Sequence, residues 1–473
     1  MAKANITDSV GVNWGRQTTQ KLLPSMVVDM LLTNGIGKVK LFSAQSIALD
    51  AFAGTNIQVT IAVPNNDLQI MKDKDNATNW VRTSITQNWN DFKFKYVVVG
   101  NEPFSLDEKD DTYRKDVLPA FQLIQGALDE AGFGDKIKVT VPHFLDVLKL
   151  GSTKPSEAGH FRDEVKDAMI QMLEHLNASG APFMATINPI YLLQKYNYSL
   201  EFAFFDGEDP NSTITDGDIT YTNMFDAAYD AFVWSLKNAG FPNMKIVIGQ
   251  IGWPTDGDPN CNIANAKRFY DGFLKKMASD QGTPLRPGPL EAYFYNLVDE
   301  NRIDTSRGMF QRHWGIYNYD GTPKFQLDFS GKGHAMALYP AKGVVYLPKR
   351  WCVFTNDFSD LAKVNRNFEF ACNQSDCSSL VYGGSCNNLD YEGNISYAFN
   401  MFFQTRSQKA NDAACKFEDI SRIVTTDPSQ GECKFPVEVL SSIADKTSEA
   451  SELTINVELL VIFYAIFGII LMN

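Results

Sequence analysis

A glutamate and a glutamine each follow a run of β-forming residues. Glu102 comes just after residues 96–99, and Gln250 comes just after residues 245–248. A glutamate carboxyl can give up or take a proton, whereas a glutamine amide is uncharged and is a poor nucleophile. A glutamate before Pro103 could equally cap a loop. If both strands end on one face, Glu102 and Gln250 lie at the same end of the fold.

The elements that carry these residues alternate between β-rich and helical patterns. Amphipathic stretches at 26–32, 117–131 and 264–278 lie between the β-rich runs, with apolar residues at three- and four-residue spacing. Eight such units predict an α/β fold, a (β/α)8 TIM barrel, in which catalytic groups occupy the C-terminal ends of the strands. The predicted strands are residues 10–13, 38–42, 59–63, 96–99, 137–141, 184–187, 245–248 and 292–295.

Cysteine usage separates the C-terminal part of the chain from the barrel. Cys261 stands alone in the first 350 residues, and it is predicted to be a buried or free thiol. The other six predict a small disulfide-rich domain, but six cysteines allow fifteen pairings and the sequence selects none. No zinc site is expected, because no C-x-x-C pair occurs and the five histidines are scattered. The six are Cys352, Cys372, Cys377, Cys386, Cys415 and Cys433.

Charge and modification motifs point to an exported protein with neutral or cationic partners. The formal net charge is −13 and the pI is about 5.0, so nucleic acid is not an expected partner. No metal or other cofactor is expected. Disulfides are typical of exported proteins, and seven N-x-S/T triplets agree with export. These triplets begin at Asn5, Asn76, Asn177, Asn197, Asn211, Asn373 and Asn394.

The two ends bear on location. The first ten residues contain no apolar segment typical of a secretory signal. Residues 459–472 are apolar and uncharged, but a membrane span needs about twenty residues. A polar spacer and small residues around Ser448 and Ala450 precede them, as in a glycosylphosphatidylinositol (GPI) attachment signal, and Ser441 or Ser442 could equally be the attachment residue. The alternative is an amphipathic or buried terminal helix.

Several segments resemble plant family 17 glycoside hydrolases, the endo-1,3-β-glucanases, over roughly residues 9–330. A second set, from Trp351 to Cys433, resembles the family 43 carbohydrate-binding module. The predicted domains are therefore a barrel at 9–335, a linker at 336–350, a cysteine-rich and mainly helical module at 351–435, and a spacer with a GPI signal at 436–473. The family 17 segments are Gly11-Val12-Asn13-Trp14-Gly15, Val39-Lys40-Leu41-Phe42, Val99-Gly100-Asn101-Glu102-Pro103, Gly252-Trp253-Pro254-Thr255 and Arg312-His313-Trp314-Gly315.

The resemblance implies a role for each site residue. Glu102 matches the acid/base of a retaining glycosidase, and Gln250 stands where the family has its nucleophilic glutamate. Glu300 matches a further carboxylate near the cleft and could substitute for the nucleophile. Gln311 stands where glutamate is common, and Ser43 where aspartate is usual. The remaining predicted substrate-binding residues are Asn13, Asn101, Tyr191, Trp253 and Trp314, although barrel core is the alternative for strand-end aromatic residues such as Trp14 and Trp253.

Three functions follow from the resemblance. The favoured one is a GPI-anchored protein at the outer face of the plasma membrane and in the cell wall, which binds β-1,3-glucan (callose) and has weak or no hydrolytic activity. Such a protein could have a cell-surface protein partner. The second is a working endo-1,3-β-glucanase. The third is a glucan transglycosylase, which needs the same covalent intermediate and therefore the same missing nucleophile.

Overall fold

A ring of parallel strands forms the centre of the first domain in the computed structural model, which describes residues 9–440 except 107–110, 150, 208, 210–211, 332–336 and 409–412. Strands β5 (Lys138–Thr140) and β6 (Pro142–Phe144) are separated only by Val141. Strand β5 pairs with β4 (Lys93–Val99) and β6 pairs with β7 (Phe183–Thr186), so β5 and β6 act as one barrel strand and close the ring. The predicted (β/α)8 barrel is confirmed. Its strands are β1 (Val10–Trp14), β2 (Lys38–Leu41), β3 (Gln58–Val63), β4 (Lys93–Val99), β5 (Lys138–Thr140), β6 (Pro142–Phe144), β7 (Phe183–Thr186), β10 (Ile246–Ile251) and β11 (Ala292–Phe294).

The remaining strands of the first domain form a short hairpin, β8 (Ile214–Asp216) and β9 (Ile219–Tyr221), which the sequence pattern does not predict because each strand has only three residues. The three helices predicted at 26–32, 117–131 and 264–278 are all present, as the first, fourth and ninth of the described helices of the domain. The described helices of this domain are α1 (Pro24–Thr33), α2 (Ser46–Leu49), α3 (Lys74–Ser84), α4 (Asp111–Glu130), α5 (Pro155–Ala158), α6 (Asp163–Ser179), α7 (Pro189–Tyr196), α8 (Met224–Asn238) and α9 (Ile263–Ser279).

Helix α9 shows why these helices form and pack. Asn262 precedes it, and its side chain accepts a hydrogen bond from the backbone N–H of Asn265, which satisfies one of the otherwise unpaired first-turn donors. Its buried residues recur every three or four positions and pack in the main core, as in Phe269 and Phe273. Phe269 contacts Trp253, just after β10, and Phe273 contacts Phe294 of β11, so the helix covers the barrel beside these two strands.

The C-terminal module is built on an antiparallel pair of strands and two helices. Strand β12 (Trp351–Phe354) pairs with β13 (Ser421–Val424), and α10 (Leu361–Gln374) and α11 (Tyr391–Thr405) pack beside them. This confirms a small, mainly helical domain. Three disulfides cross-link it: Cys352–Cys415, Cys372–Cys377 and Cys386–Cys433. Cys261 is a buried free thiol in the barrel, as expected.

The predicted GPI signal at 436–473 lies almost entirely outside the described residues. Between residues 9 and 440, the described helices include none with the length and apolar character needed to cross a membrane. Of the predicted glycosylation triplets, those at Asn5 and Asn211 also lie outside the described part. Four of the others have exposed asparagines, which glycosylation requires: Asn76, Asn177, Asn197 and Asn373.

Candidate active site

The loop after β4 holds Glu102 in an unusual backbone conformation. The φ angle of Glu102 is +54°, which costs about 1 kcal/mol or more for a residue with a side chain. Asn65, just after β3, fixes the preceding residue: its Oδ1 accepts from the N–H of Asn101 at 2.7 Å, and its Nδ2 donates to the carbonyl of Asn101 at 3.0 Å. Gly100 has a φ of +76°, and a Cβ there would lie 3.0 Å from Asn65 Oδ1. Glycine is therefore favoured two residues before the strained glutamate.

Gln250 reaches the same place from β10. The pairing of β10 with β7 shifts register between Ile248 and Gln250, and such bulges re-aim side chains at the rims of barrels. The Nε2 of Gln250 donates a hydrogen bond of 3.0 Å to Oδ1 of Asn101, the neighbour of Glu102. Glu102 and Gln250, which follow different strands, are thus linked through Asn101.

A cavity of about 180 Å³ lies at these strand ends and is called the cleft below. Four predicted site residues line it: Asn101, Glu102, Gln250 and Trp314. Glu102 is the only carboxylic acid among the described residues that line this space. The other lining residues are Phe144, Thr186, Ile187, Asn188, Ile251, Gly252, Tyr295, Ile303, Arg307 and Gln311.

Burial favours the protonated form of Glu102. It raises the pKa of this carboxyl, and the nearby carboxylate of Asp146 raises it further, while the positive charge of Arg307 opposes the shift. Arg307 Nη1 lies 3.9 Å from Glu102 Oε2, a long ion pair, and the side chain of Thr186 also opposes the rise in the pKa of Glu102. A carboxyl that holds its proton above the ordinary pH range of a glutamate is suited to general acid catalysis.

Some residues of the cleft were not predicted from the sequence. Phe144, Thr186 and Tyr295 come from the ends of β-rich runs, so position at a strand end was the available signal. Arg307 gave no such signal, because it lies in a loop. Its guanidinium donates to Ser105 Oγ at 2.9 Å and lies 4.4 Å from the centre of the Phe144 ring.

Two predicted binding residues lie in the barrel core instead of the cleft wall. Asn13 is fully buried; its Nδ2 donates to the carbonyls of Gly249 and Phe294 at 3.0 Å each, and its Oδ1 accepts from Lys40 Nζ at 3.0 Å. Burial lowers the pKa of Lys40 to about 7, although the charge of Glu102 opposes this shift. Trp253 has no exposed surface, which matches the core alternative.

The other two lie just outside the cleft lining. Tyr191 is half-buried and packs edge-on against Phe144, with ring centres 5.1 Å apart. Both oxygens of Glu300 are occupied: Oε1 accepts from the N–H of Gln17 at 2.7 Å and Oε2 accepts from Asn296 Nδ2 at 2.6 Å. Burial raises the pKa of Glu300 to about 7. Within the described residues, no group of three or more His, Cys, Asp or Glu side chains is placed to hold a metal ion.

Comparison with known proteins identifies the family. The family model described as "Glycosyl hydrolases family 17" matches residues 10–329. These residues form the barrel that carries Glu102 after β4. The chain belongs to glycosyl hydrolase family 17. This family 17 chain also contains an X8 domain at residues 350–422, the family 43 carbohydrate-binding module implied by the resemblance of the segments from Trp351 to Cys433.

Relatives of this family 17 chain match it over most of its length. "Glucan endo-1,3-beta-glucosidase 8" of Arabidopsis thaliana is 43% identical over 94% of this chain and 92% of the relative. "Glucan endo-1,3-beta-glucosidase 5" of the same plant is 42% identical over the same shares. The structure is similar to that of CJP38, a beta-1,3-glucanase and allergen of Cryptomeria japonica pollen, with a TM-score of 0.64 and 32% identity over 68% of this chain and 99% of that one.

Proposed function

We propose that this protein binds β-1,3-glucan in the barrel cleft and through its X8 module, and that its hydrolytic activity is weak or absent. The observation that carries this proposal is the lining of the cleft, where Glu102 is the only carboxyl group among the described residues. A retaining glycosidase needs two carboxyl groups about 5–5.5 Å apart, one as acid/base and one as nucleophile. Gln250, at the position expected for the nucleophile, supplies an amide.

The amide affects the chemical step far more than binding. It has no negative charge with which to attack the anomeric carbon or to stabilise the positive charge that develops there. By comparison with other enzymes that lose such a group, the barrier rises by about 3–6 kcal/mol, which is on the order of a hundred- to ten-thousandfold in rate.

Sugar binding does not depend on that charge. Gln250 has nearly the shape of glutamate, and its amide can both donate to and accept from hydroxyl groups. The amides of Asn101, Asn188 and Gln311 line the same space, and the Trp314 ring offers a flat apolar surface for a pyranose face. Neutral glucan also suits a protein of net charge −13, which does not repel it.

Glu300 does not readily replace the missing nucleophile. It is 4% exposed, both of its oxygens accept hydrogen bonds from other residues, and it is not part of the cleft lining. Burial raises the pKa of Tyr295, a residue of the cleft lining, and the negative charge of Glu300 raises it further. This arrangement supports a role in holding the end of β11.

An active glucan endo-1,3-β-glucosidase is the second candidate. The observations in its favour are the names of the relatives, which are 42–43% identical over 94% of the chain, and the retention in the cleft of an acid, Glu102, whose pKa burial raises. A transglycosylase would require the same covalent intermediate and is disfavoured by the same amide.

We further propose that the protein is secreted and held by a GPI anchor at the outer face of the plasma membrane, facing the cell wall. Three disulfides support passage through an oxidising compartment, and the apolar run 459–472 supports the anchor. A cell-surface protein partner would be consistent with this position. Release of the protein from intact cells by phosphatidylinositol-specific phospholipase C tests the anchor, and retention after treatment would reject it.

The decisive test measures binding and hydrolysis on the same preparation. Laminarihexaose affinity is measured by calorimetry, and reducing-end release from laminarin is measured for the wild type and for Glu102→Gln. We expect the wild type to bind, and its rate to match that of Glu102→Gln. Trp314→Ala should weaken binding. Release well above the Glu102→Gln control would instead establish the active glucosidase, and products longer than the substrate would establish transglycosylation.

A further inference from the structure

One short segment after β11 contacts both the cleft and the X8 module. Gln311 and Trp314 line the cleft, and Trp314 Nε1 donates to Gln311 Oε1 at 2.9 Å. The two residues between them contact the module: Arg312 contacts Asp376 and His313 contacts Ser378. Any shift of the module at these contacts is therefore passed to the cleft wall through adjacent residues of one segment.

The Arg312 contact is a partly buried ion pair. Nη1 of Arg312 lies 3.1 Å from Asp376 Oδ1, and the two side chains are only 20% and 8% exposed. The Nε of Arg312 donates to the carbonyl of Ile303 at 3.1 Å, and Ile303 is itself part of the cleft lining. Removing one partner of such a pair leaves the other charge shielded from water and uncompensated, so both sides are expected to rearrange.

The module is also bonded to the loop after β10, the strand that carries Gln250. Both oxygens of Asp256 accept hydrogen bonds from the module: from Ser379 Oγ at 2.8 Å, and from the N–H and Oγ of Ser385 at 2.7 and 2.6 Å. The backbones touch nearby, since a Cβ on Gly383 would lie 2.2 Å from the nitrogen of Pro259. Loops from two neighbouring barrel strands thus share one contact surface with the module.

The charges at this surface attract one another. His313 Nε2 lies 2.7 Å from Ser378 Oγ, and its Nδ1 lies 3.8 Å from Asp299 Oδ2, which also pairs with Lys324 at 2.7 Å. Burial lowers the pKa of His313, but the carboxyl groups of Asp299, Asp256 and Asp376 raise it by more, so the net pKa lies above its usual value. A positive His313 is thereby favoured between carboxylates that belong to both domains.

We infer that Arg312 and His313 are positioning residues, through which the X8 module holds the Gln311–Trp314 wall of the cleft in its binding geometry. The inference rests on the proposed glucan-binding role of the cleft. It makes the module a structural part of the cleft in addition to any sugar site of its own. Asp376 then affects glucan binding at the barrel without contacting the sugar.

The test uses the full-length protein and the variant Asp376→Asn, with Glu369→Gln on the exposed side of α10 as the matched control. Laminarihexaose affinity is measured by calorimetry, and amide hydrogen exchange is followed over residues 303–316 without ligand. We expect Asp376→Asn to weaken binding about tenfold and to speed exchange in this segment, while Glu369→Gln changes neither. Arg312→Ala should give the same two effects, and the double variant should be no worse than Arg312→Ala alone.

Three results would overturn the inference. The first is unchanged exchange over 303–316 in Asp376→Asn, whatever happens to affinity. The second is a double variant whose loss of affinity is the sum of the single losses, because Asp376 would then act independently of Arg312. The third is faster exchange with full affinity. If the wild type fails to bind laminarihexaose, the proposed function fails, and the exchange experiment still tests the contact between the domains.

Discussion

Restoring a carboxylate by Gln250→Glu should convert the protein into a more active hydrolase. The amide Nε2 now donates to Asn101 Oδ1 at 3.0 Å, and a carboxylate oxygen in its place would face another acceptor. The Asn101 side chain must therefore turn so that its Nδ2 donates to the new carboxylate. Because Asn65 holds only the backbone of Asn101, this turn leaves the loop of Glu102 in place.

The expected size of the gain follows from the chemistry of the missing group. An anionic nucleophile across from the acid should lower the barrier by about 3–6 kcal/mol, or about a hundred- to ten-thousandfold in rate. The added negative charge also disfavours ionisation of Glu102, so it shifts the pKa of this carboxyl in the same direction as burial does. Affinity for glucan should change little, since the side-chain shape is kept.

The assay is reducing-end release from laminarin, with laminarihexaose affinity measured on the same samples. Gln250→Asp is the matched control, because it adds the same charge on a side chain one methylene shorter. The double variant Gln250→Glu with Glu102→Gln should lose the gain. Our reasoning would be refuted if Gln250→Glu folded and bound glucan normally but showed no rise in rate, or if Gln250→Asp rose equally.

Three further predictions concern stability. Burial raises the pKa of Glu300 from 4.5 to about 7, so the stability that this residue contributes is complete below pH 4.5 and is lost as pH rises through 7, by about 3 kcal/mol. In denaturant unfolding, the free energy of unfolding of Glu300→Gln should therefore decline less than that of the wild type over this pH range. An equal decline in the two proteins would contradict the pKa shift. The pKa of Glu102 is also raised by burial, so Glu102→Gln should melt higher than the wild type at pH 7 by calorimetry, with the difference vanishing below pH 4; no gain at pH 7 would count against a destabilised acid. Replacing both cysteines of Cys352–Cys415, 63 residues apart, should cost the module about 4 kcal/mol, against about 2 kcal/mol for Cys372–Cys377, 5 residues apart; equal losses in urea unfolding would argue against chain entropy as the cause.

Strand-end position was the sequence signal that related Glu102 to Gln250. Glu102 and Gln250 follow β-rich runs, and a parallel barrel collects the ends of its strands on one face, so their meeting could be expected from the pattern alone. Phe144, Thr186 and Tyr295 also lie at strand ends, so the same rule could have predicted that they line the cleft. The position of Arg307 in the cleft could not be predicted in this way, because the neighbours of a loop residue are fixed only when the loop packs.

Core and cleft could not be separated from the sequence. Asn13 and Trp253 belong to motifs of the family, yet both are buried away from the cleft lining. Asn13 donates to backbone carbonyls of β10 and β11, whereas Trp253 packs against Phe269 of α9 and donates to the carbonyl of Asn260 at 3.0 Å. A motif gives residue type and order. Which side of a strand end faces the cleft depends on register and on bulges such as the one before Gln250.

The sequence by itself determined the barrel, the cysteine-rich module and the presence of an amide where a carboxylate was expected, because periodicity, composition and residue identity are local properties of the chain. The tertiary structure alone decided the disulfide pairing, the contact of Glu102 with Arg307, and the docking of the module through Arg312 and Asp376. These depend on distances between residues far apart in the chain, which are fixed only when burial and hydrogen bonding select one packing of the whole molecule.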